Sequence, residues 1–409
     1  MTPNPHGRDD LERALGRQLH DQVDHRHDAP LRLGDIQGRA GRIRRNRRLA
    51  VTAGVAAALA VVVPTAILAG GRLSGSQEPD PVRPPGEERA AVHTTLTLDG
   101  LTRGGDPAIE YFTIDGVVLP DEGLVEQPVS WQALVPSEAD GGWLAYGPGR
   151  DEVRYLSEDF ADLGGSSVGD ALAASADRSY VAWTAYGSGR QTLRLHATTE
   201  SDTDDSWDFP ARPPVTPVGV LGDDRVLFET TDQRTGEVTV RIAEPDGSVS
   251  AFADVADAVA VSADGLVSVM THSNADGSAC FGIVDTAADP TTVVWETCDH
   301  SLGTFSPDGR YVLAGPAYRS GAGDLSLAVL DARTHREVAT FDQPRKGQVT
   351  IGQTAWESED TVLAFVSDGP SQALLRFGVD GTLERATDVV EATEFTDVAF
   401  YLGNDRGPH

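Results

Sequence analysis

Apolar residues are distributed in two different ways along this chain. Residues 49–71 form one continuous run without a charged side chain. From about residue 95 the apolar residues instead come in short runs, and Asp- and Gly-rich turns separate them. A long uncharged run predicts a membrane-spanning helix, whereas short runs between turn residues predict strands. The pattern therefore predicts one transmembrane helix followed by an all-β domain.

The run at residues 49–71 is long enough to cross a bilayer. Its 23 residues, at about 1.5 Å of rise per residue, exceed the ~30 Å hydrocarbon layer. Pro64 would interrupt a soluble helix but is tolerated as a kink in a membrane, and a soluble core helix of this length seldom lacks a polar face. A cleaved secretory signal stays an alternative because Ala66 and Ala69 resemble a cleavage site, although the 48-residue leader is long for one.

The charged residues on the two sides of this run predict its orientation. Six arginines directly precede it: Arg39, Arg42, Arg44, Arg45, Arg47 and Arg48. After it, Arg72 is followed by acidic residues that include Glu78, Asp80, Glu87 and Glu88. The positive-inside rule places the Arg-rich side in the cytoplasm. We therefore expect a type II single-pass protein of the plasma membrane, with residues 1–48 cytoplasmic, the lipid bilayer as a partner and the C-terminal domain outside.

The N-terminal tail has a short helical pattern. Asp9 and Glu12 have the spacing of a capping box, and apolar residues recur at every fourth position. So short a stripe cannot form a core; it indicates docking on a cytoplasmic partner, contact with the membrane or a marginal helix. His20, Asp24 and His27 would share one helix face, but no cysteine or second ligand helix supports them, so we interpret them as solvated and predict no metal site.

The tail, with its Arg-rich end, resembles the cytoplasmic tails of actinobacterial membrane proteins, including some that are associated with alternative sigma factors. That resemblance implies transmembrane signalling as one role for the tail. The His-Cys-Cys motif of zinc-binding anti-sigma factors is absent from it, so no such site is expected.

One phrase recurs in the β domain: an apolar strand, a turn with Ser and Asp, and a second apolar strand. Clear copies occupy residues 172–183, 259–269 and 303–314, and degenerate copies occupy residues 134–146, 218–228 and 354–365. The second strands follow one another at spacings of 37, 45, 41, 45 and 50 residues. A period of this length with several strands per unit is typical of the blades of a β-propeller.

In the copy of the phrase at residues 303–314, the residue types of the turn predict its hydrogen bonds and backbone conformation. Ser306 and Asp308 can hydrogen-bond to the turn backbone, Pro307 fixes φ, and Gly309 accepts a positive φ. The surrounding sequence FSPDGRYVLA closely resembles the repeat core of TolB-type, WD40-like propellers. The resemblance implies a propeller that binds other proteins or envelope components, and it implies no catalytic residue.

Six copies of the phrase predict six blades, with seven as the alternative. We expect residues 109–123 to add a strand pair to the final blade, so that strands from both ends of the domain close the ring and leave no exposed edge. The propeller is predicted to occupy residues 95–402, after a Pro-rich, extended spacer at residues 72–94 and before a disordered end at residues 403–409.

The two cysteines are predicted to face each other in one hairpin. Cys280 and Cys298 lie on either side of a turn at residues 287–290, which contains their midpoint. A cross-strand disulfide can bridge that separation, would form outside the cytoplasm and would contribute about 3 kcal/mol of stability. Two free buried thiols are the alternative.

No residue pattern indicates catalysis or a cofactor. Residues 165–169 match G-x-S-x-G, but neither a preceding buried strand nor a following helix is predicted there. An Asp-rich segment at residues 201–209 resembles the start of a calcium loop, with Trp207 at the position that needs Gly. We interpret it as an exposed hairpin tip and predict no catalytic, cofactor or metal site.

Charge narrows the function further. The net charge is −30, and beyond residue 71 the chain carries 56 acidic against 22 basic residues. Such a domain repels phosphate backbones, so nucleic acid is not expected as a partner. The sequence favours a non-enzymatic binding module for an extracytoplasmic protein or envelope ligand. An envelope hydrolase or lyase with its site in the channel, and signalling through the tail, are the alternatives.

Overall fold

The computed structural model describes residues 90–403 except for short segments at 127–130, 132, 138–141, 148–151, 188, 200–203, 223, 275–277, 318–323, 344–348 and 393–397. The predicted cytoplasmic tail, its six arginines, the membrane helix, most of the spacer and residues 404–409 lie outside the described residues. In the part of the chain that is described, no helix has the length and apolar character needed to cross a membrane.

The described residues form β-strands joined by turns. In chain order the strands are β1 (Val92–Thr95), β2 (Tyr111–Thr113), β3 (Gly116–Leu119), β4 (Gly123–Glu126), β5 (Ala133–Ser137), β6 (Gly142–Tyr146), β7 (Glu152–Ser157), β8 (Asp162–Ala174), β9 (Tyr180–Gly187), β10 (Arg190–Ala197), β11 (Asp204–Pro210), β12 (Val215–Leu221), β13 (Arg225–Thr231), β14 (Val238–Ala243), β15 (Val249–Ala251), β16 (Asp257–Val261), β17 (Leu266–Ser273), β18 (Ala279–Asp285), β19 (Val293–Thr297), β20 (His300–Phe305), β21 (Tyr311–Pro316), β22 (Ser326–Asp331), β23 (Glu337–Asp342), β24 (Val349–Trp356), β25 (Thr361–Asp368), β26 (Ser371–Gly378), β27 (Leu383–Arg385), β28 (Val390–Glu391) and β29 (Tyr401–Leu402).

These strands pair into the seven four-stranded blades of a β-propeller. Blade 1 has the order β29-β2-β3-β4, and blades 4, 5, 6 and 7 are β12–β15, β16–β19, β20–β23 and β24–β27. Blades 2 and 3 share the long strand β8, whose first half pairs with β7 and whose second half pairs with β9. They are therefore β5–β8 and β8–β11, and together they make a seven-stranded sheet.

The first strand of each blade lies at the centre of the ring. Strand β12 packs beside β8 and β16, and β20 and β24 continue the series to β29. The fourth strands lie at the rim, and β4 and β15 have largely exposed side chains. Such radial order lets each blade bury both faces against its neighbours.

Apolar side chains fill each of the seven junctions between blades. Each junction has its own cluster of buried side chains, from the one between blades 1 and 2 round to the one that joins blades 7 and 1. The last of these contains Phe400 and Leu402 from the C-terminal strand beside Leu363 and Leu374 of blade 7. The ring is therefore closed by apolar packing as well as by strand pairing.

The prediction of six blades was wrong, and seven is the number observed. All six copies of the phrase are hairpins of first and second strands, in blades 2 to 7. Residues 109–123 do not complete one of those blades. They supply β2 and β3 of a separate blade, which β29 completes by pairing with β2 through Tyr111 and Leu402. Both ends of the domain do meet in this closing blade.

An N-terminal strap, residues 92–110, holds the rim of blades 6 and 7 before the chain enters blade 1. Strand β1 adds to blade 6 in parallel with β23. Leu96 and Leu98 then enter the apolar junction between blades 6 and 7. Next, the amide of Gly104 donates a hydrogen bond to the carbonyl of Arg385 at the edge of blade 7 (2.9 Å). The strap covers strand edges that would otherwise invite pairing with other chains.

Candidate interaction face

The up-and-down order of the strands gives the ring two different ends. Because neighbouring strands are antiparallel, the turns between first and second strands and between third and fourth strands all lie at one end, the turn face. The turns between second and third strands, and the links between blades, lie at the other end, the open face. The repeated Ser-Asp phrase therefore belongs entirely to the turn face.

The turn of residues 306–309 shows how the phrase works. Ser306 is fully buried; its hydroxyl donates to the Asp308 carboxylate (2.6 Å) and accepts from the amide of Tyr311 (2.9 Å). The amide of Gly309 donates to the carbonyl of Ser306 (2.8 Å), and its φ of 71° is one that glycine adopts without strain. Pro307 stands between Ser306 and Asp308. These bonds close the hairpin inside the ring.

Other copies repeat these bonds. Ser262 bonds to Asp264, and Ser175 bonds to Asp177. Burial opposes ionisation of Asp177, yet hydrogen bonds from Ser175 and Ser179 lower its pKa below the ordinary value. This turn thus favours the charged form of Asp177.

An ion pair joins the turns of neighbouring blades on this face. The Arg333 guanidinium, in the turn after β22, donates to Asp264 and to Asp285 (3.4 Å), which belong to two turns of blade 5. The hydrogen bond from Arg333 to Asp264 raises the pKa of Arg333. Blades 5 and 6 are therefore fastened at their turns.

A second cluster, on the turn face of blade 7, holds the strap. Arg376 donates to both carboxylate oxygens of Glu357 and to the carbonyls of Gly105 and Asp106. Its side chain is 14% exposed and that of Glu357 is 5% exposed. The hydrogen bond to Glu357 raises the pKa of Arg376. Glu357 in turn accepts from the backbone amide of Ala108 (2.6 Å).

A third ion pair links the end of the strap to blade 3. Glu110, which is buried, accepts from the Arg178 guanidinium at 2.5 Å. Arg178 occupies the glycine position of its Ser-Asp turn and has a φ of 60°. The turn face is thus crossed by the strap and by long-range ion pairs.

The open face carries exposed apolar side chains in the turns between second and third strands. Ile114 in blade 1 is 88% exposed, Leu325 in blade 6 is 45% exposed, and Tyr186 in blade 3 is 36% exposed. The other large apolar side chains exposed among the described residues are at the rim, apart from Tyr401 in a first strand. Binding residues commonly lie on loops that a rigid scaffold positions.

The two cysteines also lie at the open face. Cys280 begins β18 and Cys298 follows β19, and a disulfide joins them with their Cα atoms 4.1 Å apart. His272 and Glu296 stand beside them, and the His272 Nδ1 atom is 3.4 Å from a Glu296 oxygen. Neither of these two residues was singled out from the sequence. In the structure, His272 stands opposite Cys280 in the pairing of β17 with β18.

Among the described residues, the G-x-S-x-G match considered in the sequence does not form a catalytic arrangement. Residues 165–169 form the middle of strand β8, so they lack the strand-turn-helix geometry of a nucleophile elbow. Among the described residues, one group of three ionisable side chains is close enough to hold a metal ion: His272, Cys280 and Glu296. It lies in the outer part of blade 5, away from the first strands that line the channel.

Several tryptophans pack at or beside the junctions between blades. Trp183 is buried between blades 2 and 3, and Trp143 stacks on Phe160 with ring centroids 5.3 Å apart. The Trp295 indole donates to the carbonyl of Ala332 in the next blade (2.8 Å). They join blades to one another.

Solved structures of other proteins are similar to this chain. A prolyl endopeptidase structure matches with a TM-score of 0.50 and 15% identity, over 73% of this chain and 49% of that chain. The β-propeller domain of Cps50 (Swd1) from Myceliophteria thermophila matches with a TM-score of 0.45 and 12% identity, over 66% and 88% of the two chains. TolB from Acinetobacter baumannii matches with a TM-score of 0.37 and 12% identity, over 63% and 65%.

The prolyl endopeptidase likeness shows the fold alone, and this chain spans about half the length of that protein. No protein-family model matches the sequence, and no curated protein sequence matches it.

Proposed function

We propose that this chain is a membrane-anchored β-propeller that binds a protein partner outside the cell through its open face. The observation that carries the proposal is the contrast between the two ends of the ring. The turn face is fastened by Arg333, Arg376 and Arg178 and is crossed by the strap, whereas the open face presents Ile114, Leu325 and Tyr186 to solvent. A rigid closed ring whose described open-face residues include exposed apolar side chains suits recognition.

Charge indicates the chemistry of the partner. Beyond residue 71 acidic residues outnumber basic ones by 56 to 22, so an approaching basic surface would be attracted and an acidic one repelled. The partner we propose is a protein that offers apolar side chains within a basic surround. The extracytoplasmic location rests on the apolar run and its arginines, and the disulfide is in keeping with an oxidising surrounding.

The test compares two sets of substitutions in the full chain, expressed in cells that are then treated with a chemical cross-linker. The open-face variant carries Ile114→Glu, Tyr186→Glu and Leu325→Glu. The control carries Leu124→Glu, Leu163→Glu and Val294→Glu, which alter three exposed apolar side chains at the rim. We expect a discrete cross-linked product that the open-face variant loses and the control retains. A product that survives in both variants, or no product in any chain, would contradict the proposal.

A hydrolase or lyase site in the channel finds no support in the described residues, because no group of three carboxylates or histidines is found among their first strands. Signalling through the N-terminal tail would be a consequence of partner binding rather than a separate activity. Deletion of residues 1–38 with Arg39–Arg48 retained would remove it while leaving insertion and cross-linking intact.

A further inference from the structure

We propose that the open-face corner of blade 5 is a redox-controlled Zn²⁺ site. In the oxidised chain Cys280 and Cys298 form a disulfide. After reduction, the same two sulfurs, with His272 and Glu296, would make a four-ligand site for Zn²⁺. This inference does not depend on the proposed binding function.

The donor atoms already lie together. One ligand atom each of His272, Cys280 and Glu296 falls within 4.8 Å of the other two. The sulfur of Cys298 is the bonded neighbour of the Cys280 sulfur and would become the fourth donor. Two thiolates, an imidazole and a carboxylate are ligand types that Zn²⁺ takes in tetrahedral sites.

The required rearrangement is small. With Zn–S bonds of about 2.3 Å, two sulfurs of a tetrahedral site lie roughly 3.7 Å apart, so the two cysteines must separate after reduction. Cys280 is buried in β18 and is 1% exposed, whereas Cys298, His272 and Glu296 are exposed. Rotation of the Cys298 side chain at the end of its strand can therefore supply the movement, and a reductant can reach that sulfur.

Neighbouring polar groups suit a thiolate at Cys280. The Asn274 amide nitrogen lies 3.7 Å from the Cys280 sulfur, as a donor to it, and also donates to Ser278 (3.1 Å). The Thr271 hydroxyl bonds to Glu296 and lies 3.2 Å from the His272 Nδ1 atom. Such contacts orient the side chains that bind the metal ion.

The chemistry balances with a dithiol as reductant. A dithiol transfers two electrons and two protons to the disulfide, so the Cys280–Cys298 bond breaks, two thiols form and the dithiol becomes a cyclic disulfide. Zn²⁺ then binds the two sulfurs as thiolates and releases two protons. The disulfide and the four-ligand metal site exclude each other because they use the same sulfur atoms.

The test measures Zn²⁺ binding to the full purified chain in competition with a metal-sensitive dye. One sample is the oxidised chain. The other has been reduced with dithiothreitol, which is removed before Zn²⁺ is added. We expect one Zn²⁺ per reduced chain and none held against the dye by the oxidised chain. Co²⁺ in place of Zn²⁺ should give the intense visible bands of a tetrahedral thiolate site. His272→Gln and Glu296→Gln should each weaken binding by at least about 10-fold, whereas His300→Gln, outside the group, should leave it unchanged.

Circular dichroism of the same samples separates a site in the blade from chelation by an unfolded chain. The reduced chain should keep the β spectrum of the oxidised chain. Equal Zn²⁺ affinity in the His272→Gln, Glu296→Gln and unsubstituted reduced chains would overturn the proposal, as would loss of the β spectrum on reduction or binding no stronger than that of a Cys280→Ser, Cys298→Ser variant.

Discussion

At the residue scale, the Ser-Asp turns are the feature whose interactions follow most directly from the sequence. The sequence indicated their chemistry because every interacting group lies within a few positions: Ser306, Asp308 and the amide of Tyr311 are at most five residues apart. Contacts such as that between Glu110 and Arg178 join residues 68 positions apart. No local pattern can predict these contacts, because the fold alone brings the two groups together.

Removing the Ser306 hydroxyl should destabilise the propeller. In Ser306→Ala the amide of Tyr311 loses its partner inside the ring, and an unpaired buried donor costs about 1–3 kcal/mol. Ser358, in the corresponding turn of blade 7, is exposed, so Ser358→Ala should cost under about 0.5 kcal/mol. Urea unfolding of both variants measures the difference. Equal losses would show that the buried bonds of residue 306 are not the reason for its effect.

The aspartates of the exposed turns should make stability depend on acid. Hydrogen bonds from Ser248, Thr291 and Thr382 lower the pKa values of Asp246, Asp289 and Asp380 below 3.8 in the folded chain. Protons therefore bind the unfolded chain at higher pH than the folded one. The stabilisation is complete above the ordinary value and is lost as the pH falls through the folded pKa values.

A triple variant with Asn at positions 246, 289 and 380 tests this effect. Its urea midpoint should fall less steeply than that of the unsubstituted chain from pH 5 to about pH 2.5, a range that spans the ordinary aspartate value. Parallel curves for the two chains would refute the assigned role of these carboxylates.

At the element scale, the phrase revealed every hairpin whose first and second strands are contiguous in sequence. It missed blade 1 because the two inner strands of that blade, β29 and β2, come from opposite ends of the domain. The strap, residues 92–110, was not predicted for a similar reason. It pairs with distant strand edges only through β1 and at Arg103, and such short pairings resemble loop in the sequence. The number of blades can therefore be counted from the sequence repeat only where the strands of each blade are contiguous in sequence.

Strand β29 should be essential for closing the ring. A chain that ends at residue 398 lacks Phe400 and Leu402, which are 6% and 1% exposed, and loss of two such buried side chains costs about 3–6 kcal/mol. It also leaves the Gln353 and Gln372 side chains without the amides that donate to them. The control chain ends at residue 403 and retains the strand. Matching urea midpoints for the two chains would mean that the C-terminal strand does not close the ring.

The Arg376 cluster should hold the strap in place. Arg376→Ala leaves the buried carboxylate of Glu357 without its cationic partner, and breaking such a pair costs about 3–5 kcal/mol. Hydrogen exchange should speed up at the amides of Gly104 and Arg385. Arg103→Ala removes pairs with the exposed Asp106 and Asp388 and should cost under about 1 kcal/mol. Unchanged exchange in Arg376→Ala would contradict the role of this cluster.

At the scale of the whole molecule, the repeat period and the TolB-like phrase indicated a propeller, and the fold confirms that class with seven blades rather than six. The open face emerged only from the structure, because Ile114, Tyr186 and Leu325 are scattered in sequence and only the fold places them at the same end of the ring. We propose that the apolar run at residues 49–71, with the six arginines before it, anchors this ring outside the plasma membrane.

Protease treatment of intact cells that make the full chain with an epitope after residue 409 tests whether the ring lies outside the membrane. Cleavage in the Pro-rich spacer should release the propeller, so the epitope should disappear from the cell fraction without lysis while a cytoplasmic marker stays intact. An epitope that resists the protease in intact cells and is cleaved only after the membrane is permeabilised would place the propeller inside and contradict the account.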